Sequence, residues 1–578
     1  MNFPPWSKNL YACFLTYLKK SGKNKMSFSR KAKGISTTAI VATIAVILIV
    51  AGLAWYFTLP PAPPPGPENP FADPRARRAV AAALDRAAVC ETVFLGQAKP
   101  LYSIIPEGML GHTEAFEALG DANYILARSL LAELGYDENN KLAIDLWYES
   151  SGHYPSSADQ ALFYKESLEA SGVMEVTLKS ADWPSYRANR NAEIMQVYIY
   201  GWYPDYVDPD DYAFLYWASW LHHNYVNPDM VTLYDQARAT TDVAERASLY
   251  AEIDEMATWD CPVVPLFSIT PYAVSKPNVG GMFMDITQSW RLWLLYDTAG
   301  LKDTLIWGTT DSVENTLDPA QAYDFFGWCI IQNIGATLVE VLPGSDDGQD
   351  FIPALATDWS VSDDLMTWTF NLRQGVEFED GTEFTAEDVK YSFDRSMGLA
   401  IEEGPQVGMD YYGIIDSVEV TGTYQVVFHL KIPFAAFLGI IACQASSIVN
   451  PTYAPMDGMV EYVEGDARAS HPNDLGRYRL TKWERVAGKD VELWLEANPN
   501  YWNATSGWPK TEKIIIRMYS DATALRLALE AGDIDVAFRH LTATDIVDLQ
   551  GNPAVKVWEG AGAAIQYLVF QEKKFMGS

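Results

Sequence analysis

The chain is short of the residues on which catalysis and metal binding most often rest. Its 578 residues include only seven histidines and five cysteines. No C-x-x-C pair occurs, which excludes the common zinc and dithiol redox signatures. The one adjacent histidine pair, His222-His223, reads as a loop feature, because neighbouring side chains diverge. H-E-x-x-H, G-x-x-x-x-G-K-[ST] and G-x-S-x-G are absent, so no zincin, P-loop or nucleophile-elbow site is on offer. No catalytic residue, metal ligand or cofactor is expected, and the chain does not read as an enzyme. Basic residues are also scarce. Lys and Arg number 42 against 75 Asp and Glu, a net charge of −33. Such a chain repels nucleic acid, which excludes DNA and RNA as partners. The acids are dispersed, so the surplus reads as a solvated surface.

What is present is apolar and aromatic. Hydrophobic residues make up 49% and aromatics 13%, enough for large cores in a chain long enough for several domains. Cys13, Cys90, Cys261, Cys329 and Cys443 each sit in apolar text. They read as buried free thiols, with disulfides among the last four as the alternative in an exported chain.

Ile35 to Leu59 carries no charge and is long enough to span a bilayer as a helix. The flank before it is basic, with Lys19, Lys20, Lys23, Lys25, Arg30, Lys31 and Lys33. The positive-inside rule therefore places residues 1–34 in the cytoplasm and the body outside. The expected location is the cell membrane, single-pass, with an extracellular or periplasmic body. A cleaved signal peptide is the rival reading. The junction Lys33-Gly34-Ile35-Ser36 also resembles a class III, prepilin-type signal with processing after Gly34. Residues 60–68 form a proline-rich spacer with polyproline stiffness.

The rest is organised around Tyr200 to Tyr216, YGWYPDYVDPDDYAFLY. An apolar run from Met195 leads in as a strand, and Gly201, Pro204 and Pro209 then force irregular backbone. Aromatics and four aspartates, Asp205, Asp208, Asp210 and Asp211, fill that turn. A loop at the end of a buried strand is a usual place for a ligand, and an acid among aromatics suits a cation. The same residues also suit an ordinary acidic surface turn.

Strands and helices alternate on either side. Asp73 caps a helix with Pro74 at its first position. A helix is expected over Ala122–Leu134 with Gly135 as its stop, a strand over Leu142–Tyr148, a helix over Ser157–Ala170 and a strand over Val176–Ser180. Asn227-Pro228-Asp229 opens one helix and Asp242 another. Thr385 and Asp388 have near capping-box spacing. This alternation indicates an α/β fold.

Several segments resemble family 5 extracellular solute-binding proteins, the peptide-binding receptors of ABC importers. LRQGVEFEDGTEFTAEDVKYSFDR, Leu372 to Arg395, is similar to the family's LR-x-GVKFHDGTPFTAEDVVYSF-x-R, with Glu379 in place of His. NPFADPRARRAVAAALDRAAV from Asn69 resembles its F-x-D-x-R-V-R signature, and YSIIPEGM from Tyr102 its P-x-G loop. The central stretch resembles WG-x-DYPDPD. DTLIWGTTDSVENTLDPA from Asp303 resembles the family's mature N-terminus. GRYRLTKWERVAGKDVELWLEANPNYW, Gly476 to Trp502, resembles GTGPY-x-L…NP-x-YW, with DLGRY as a departure. The halves are swapped. Residues 69–300 resemble the family's second half and 301–574 its first, the order of a circular permutation, with a fusion of pieces from tandem genes or a rearranged reading frame as the alternatives.

The resemblance implies a two-lobed type II periplasmic-binding-protein fold with an extra small domain. The continuous lobe would cover 69–267, the discontinuous lobe 268–342 plus 476–571, and the small domain 343–475. It implies that Asp205 holds a peptide α-ammonium, with Trp202, Tyr203, Phe325 and Tyr567 lining the pocket. The new break is expected at a lobe crossover, costing one covalent connection, with Phe71 near Phe570. Implied partners are a peptide or oligosaccharide ligand, ABC permease subunits, and the membrane through the N-terminal helix. A surface-assembled, structural or sensory protein reusing the fold is the alternative.

Overall fold

Two buried strands, one from the middle of the chain and one from near its end, lie side by side inside a mixed sheet. Val263–Ile269 (VVPLFSI) and Ala564–Phe570 (AIQYLVF) are almost wholly buried. That continuous apolar text is what a strand covered on both faces requires. They pair antiparallel, with a register shift beside Pro265 that lets proline sit in a central strand. The structure is a computed structural model describing residues 68–287, 289–399 and 412–573. The expected membrane helix, the Gly34 junction and Cys13 lie outside the described residues. Among the described residues, no helix is long and apolar enough to cross a membrane.

These two strands belong to a six-stranded mixed sheet. Its order is Ala98–Pro100, Val263–Ile269, Ala564–Phe570, Val197–Trp202, Leu142–Glu149 and Met174–Ala181. A second, seven-stranded sheet runs Tyr478–Val486, Lys489–Ala497, Lys513–Met518, Thr304–Thr309, Val536–Ala537, Tyr272–Ser275 and Lys556–Glu559. A four-stranded antiparallel sheet, built from residues 356–430, has its own core around Trp368, Phe370, Phe393 and Phe428.

The local signals act as their chemistry requires. Asp73 accepts from the Arg75 amide at the start of helix Pro74–Ala83, and Asn227 accepts from Asp229 before Pro228–Arg238. Asp242 caps Val243–Asp260. The expected Ala122–Leu134 helix is Tyr124–Ala132, with Gly135 at φ +87° beyond it. Asp388 accepts from the Thr385 amide and hydroxyl at the head of Ala386–Leu399. Cys90, Cys261, Cys329 and Cys443 are buried free thiols.

The chain passes between the two large sheets twice, at Thr270-Pro271 and at Gly560–Ala563. The two passages run side by side, and the Gly560 amide donates to Pro271 O at 2.9 Å. A Cβ on Gly560 would stand 2.6 Å from Met284 Cβ, so only glycine fits there. Both crossovers are covalently continuous. The expected loss of one is therefore corrected, because the ends of the body meet beyond the far end of Ala564–Phe570, away from the crossing. That strand, expected with residues 476–571 in the discontinuous lobe, pairs inside the six-stranded sheet.

At this seam the Phe71 ring stacks on Phe570, centroids 5.1 Å apart. Asn69 Nδ2 donates to the Gln571 and Lys573 carbonyls. Arg77, almost fully buried, meets Glu572 at 3.0 Å.

Candidate functional site

The Val197–Trp202 strand delivers the acidic turn to the boundary between the two large sheets. There a cavity of about 80 Å³ is lined by Tyr203, Asp205, Tyr206 and Val207 from one side. Arg291, Phe325, Trp328, Gln332, Glu340 and Gln444 face them.

The four aspartates of the turn have different tasks. Asp210 accepts from Arg238 Nε at 2.8 Å and Nη2 at 3.1 Å, and from the Tyr206 hydroxyl at 2.6 Å. Asp208 meets Arg246 at 2.8 Å. Asp211 accepts from the Asp205 amide at 2.8 Å and from Trp202 Nε1 at 3.1 Å. These three are buried, and their bonds brace the turn from behind. Burial and then the Asp205 carboxylate raise the pKa of Asp211 above the usual carboxylate range. Asp205 alone among the four lines the cavity. Its Oδ2 accepts from the Tyr323 hydroxyl at 2.9 Å, and Tyr323 comes from the opposite side.

The walls meet through further contacts. Tyr203 packs edge-on against Phe325, centroids 4.8 Å apart, and the Arg539 guanidinium lies 4.6 Å from the Phe325 ring. Gln349 Nε2 donates to the Val207 carbonyl. The Ala435 amide donates to Arg238 O at 2.8 Å. Within the lining, Arg291 pairs with Asp285 at 2.8 Å, and Glu340 with Arg477 at 2.8 Å. Arg477 holds the Glu340 carboxyl below its usual range although burial opposes this.

Asp205, Tyr203 and Phe325 are therefore brought together as the sequence suggested. Trp202 and Tyr567 are not among the residues that line this cavity. Trp202 turns inward onto Trp220 and Phe214 and braces Asp211. Tyr567 is fully buried against Tyr200, because the strand carrying it is covered on both faces. Sequence reading missed Tyr323, Arg291, Gln332 and Glu340. Tyr323 was within reach, two positions before Phe325. The others are gathered only by tertiary structure.

The arrangement is an acid among aromatics at the boundary of two α/β sheets. The profile of the bacterial extracellular solute-binding proteins, family 5 (middle region), matches residues 19–221 and 350–576, and the chain belongs to that family. Its mixed α/β architecture is that of the periplasmic-binding-protein fold. The chain is 31% identical over 277 residues to the probable D,D-dipeptide-binding periplasmic protein of Escherichia coli K12, covering 47% of this chain and 50% of that protein. It is 30% identical over 226 residues to a glutathione-binding protein of Salmonella typhimurium, covering 39% and 40%. Among solved structures it is similar to a periplasmic binding protein from Helicobacter pylori in complex with the peptide STSA. That match has 27% identity, covers 43% of this chain and 49% of the other, and has a TM-score of 0.37. The chain spans about half the length of the curated relatives it matches.

Proposed function

We propose that this protein is the extracytoplasmic receptor of an ABC importer, closing on a short peptide and delivering it to the permease. The observation that carries this reading is the placement of Asp205. It is the one acid of its turn that lines the cavity, together with Tyr203 and Phe325, whose rings are in contact. A carboxylate held there is complementary to a peptide α-ammonium, and closure removes the water that would screen the pair. Tyr203 and Phe325 would cover the adjoining side chain. The apolar segment before the proline spacer would tether the body to the outer face of the membrane.

We also propose that the body is a circular permutant of the family fold. The Phe71–Phe570 stack and the Asn69 bonds to the carbonyls of residues 571 and 573 support a former continuous passage at the seam. The exposed loop 298–302 is the corresponding join of the former ends. Lobe boundaries would follow the sheets, one lobe being residues 69–269 with 564–573.

Thermal melting of the full chain with short peptides tests the receptor reading. A ligand that binds only the folded state at 100 times its Kd adds about 2.7 kcal/mol, enough to raise Tm measurably. No shift across a di- to pentapeptide panel would contradict it.

A further inference from the structure

The connection from strand Lys489–Ala497 to strand Lys513–Met518 carries a motif that the peptide cavity does not use. Asn503-Ala504-Thr505 is the only Asn-x-Ser/Thr triplet in the chain without proline in its middle. In a body outside the membrane this is the acceptor pattern for an N-linked glycan. Such short patterns recur by chance, and what distinguishes this one is its presentation by the fold.

Asn503 stands at the N-cap of a single 3-10 turn, Ala504–Ser506, and its side chain makes no capping bond. Asparagine favours that position because its oxygen normally accepts from an amide of the first turn. Asn69, Asn123 and Asn227 do so at the heads of their helices. Among the described residues the Asn503 carboxamide has no other hydrogen-bond partner, and the Thr505 hydroxyl has none. Asn503 is half-buried and residues 504–507 are exposed. Neither group is an unpartnered atom shut away from solvent, so both are open to it.

The backbone leaves the triplet adjustable on a fixed base. Three bonds hold the turn: the Ala504 amide to Tyr501 O at 3.0 Å, Ser506 to Asn503 O at 3.0 Å, and Gly507 to Ala504 O at 3.1 Å. Water replaces the bonds of an exposed single turn at little cost, so the triplet can be drawn out while the core stays folded. The root does not follow. Tyr501 is 5% exposed with the Arg477 guanidinium over its ring, and Arg373 lies 4.0 Å from the Trp502 ring.

The one near match is withheld. Asn450-Pro451-Thr452 has proline in its middle. Asn450 is wholly buried, and its Nδ2 donates to Asp474 at 2.9 Å. The Thr452 hydroxyl donates to Asp380 at 2.9 Å.

We propose that Asn503 is a modification site, accepting an N-linked oligosaccharide from a lipid-linked donor. The Asn503 amide nitrogen bonds to the anomeric carbon of the donor's first sugar. The bond from that carbon to the lipid phosphate oxygen breaks, and the lipid phosphate leaves with the electron pair. The proton released from nitrogen passes to a base of the transferase. From the receptor reading this takes only the placement of the body outside the membrane.

The test is transfer to the purified, folded full chain. The other components are a polyprenyl-diphosphate-linked oligosaccharide and a single-subunit oligosaccharyltransferase that needs no acid before the triplet. This reaction requires neither export nor a bound peptide, so its failure is distinct from failure of the receptor reading. Intact mass should show one glycan per chain, carried by the tryptic peptide 490–510. Asn503→Gln should accept none, and Thr505→Ala at least ten-fold less. Thr505→Ser, which restores the hydroxyl, should retain transfer. A folded chain that stays unmodified, whether or not its urea-unfolded form accepts a glycan, overturns the proposal. So does a glycan that persists in Asn503→Gln.

Discussion

The ring of Phe71 stacks on that of Phe570, centroids 5.1 Å apart, although one opens the folded body and the other closes it. Both are fully buried. A chain joined from residue 573 to residue 69 by a short flexible linker and opened within residues 298–302 should therefore fold to the same monomer. Leu301 in that loop is 85% exposed, and loops so exposed tolerate cutting. Urea unfolding should place the relinked chain within about 1 kcal/mol of the original or above it, since shortening the unfolded ensemble favours folding. A relinked chain that fails to fold would contradict the seam as a former continuous passage.

The acids of the central turn divide between bracing and binding, and stability measurements should separate them. Asp210→Ala leaves the Arg238 guanidinium uncompensated beside buried Tyr234. Removing one partner of a buried pair costs about 3–5 kcal/mol. Asp205 is only half buried, and Asp205→Ala, which loses the bond from Tyr323, should cost less, about 1 kcal/mol. Equal losses in denaturant unfolding would show that Asp205 is another brace.

Much of this body is legible in the sequence where the cause is local. Asp73-Pro74, Asn227-Pro228 and Asp242 start helices because their side chains bond amides a few residues on, which composition reveals directly. The resemblance places the turn and, through the swapped order, brings Phe71 to Phe570. Composition does not tell the four aspartates apart; only the resemblance singles out Asp205. Their partners Arg238 and Arg246 come from other helices, and only packing sends three carboxylates inward and one to the cavity. Tyr567 lies outside the cavity lining because its strand is covered from both sides. Trp202 lies outside it because the chain turns between it and Tyr203. The break away from the crossing is also invisible without topology, since it depends on where Ala564–Phe570 ends.

The carboxyl of Asp324 caps helix Phe325–Ile334 through a 2.7 Å bond from the Gly327 amide, while its Oδ2 has no partner. Burial pushes it up to about 7 from an ordinary 3.8. Between those values the folded chain keeps a proton that the unfolded chain releases. Stability from this group is thus fully present below about 3.8 and is lost as pH rises through about 7, at up to about 1.4 kcal/mol per pH unit. Asp324→Asn should remove that portion of the slope. Denaturant midpoints of the two proteins at pH 5 and 8 check this. A variant with an unchanged difference between the two pH values would contradict it.

The Tyr323 hydroxyl donates to Asp205 at 2.9 Å, a contact expected to favour the closed form. Tyr323→Phe keeps the ring, which packs on Trp328 at 5.7 Å, and deletes the hydroxyl. The unliganded variant should shift toward an open form with a larger radius of gyration in solution scattering. Its peptide affinity should change by only a few-fold, because the ligand supplies a donor of its own. Identical scattering curves for the two proteins would contradict that expectation.

The most direct measurement is calorimetric titration of a peptide found by melting shift into the wild type and Asp205→Asn. The placement of Asp205 predicts one site per chain in the wild type. It also predicts a loss of roughly ten-fold or more in the variant, the scale of a lost charge-assisted bond. An N-acetylated form of the same peptide should bind the wild type as poorly as the free peptide binds the variant. Equal affinity of both proteins for the free peptide would contradict the account.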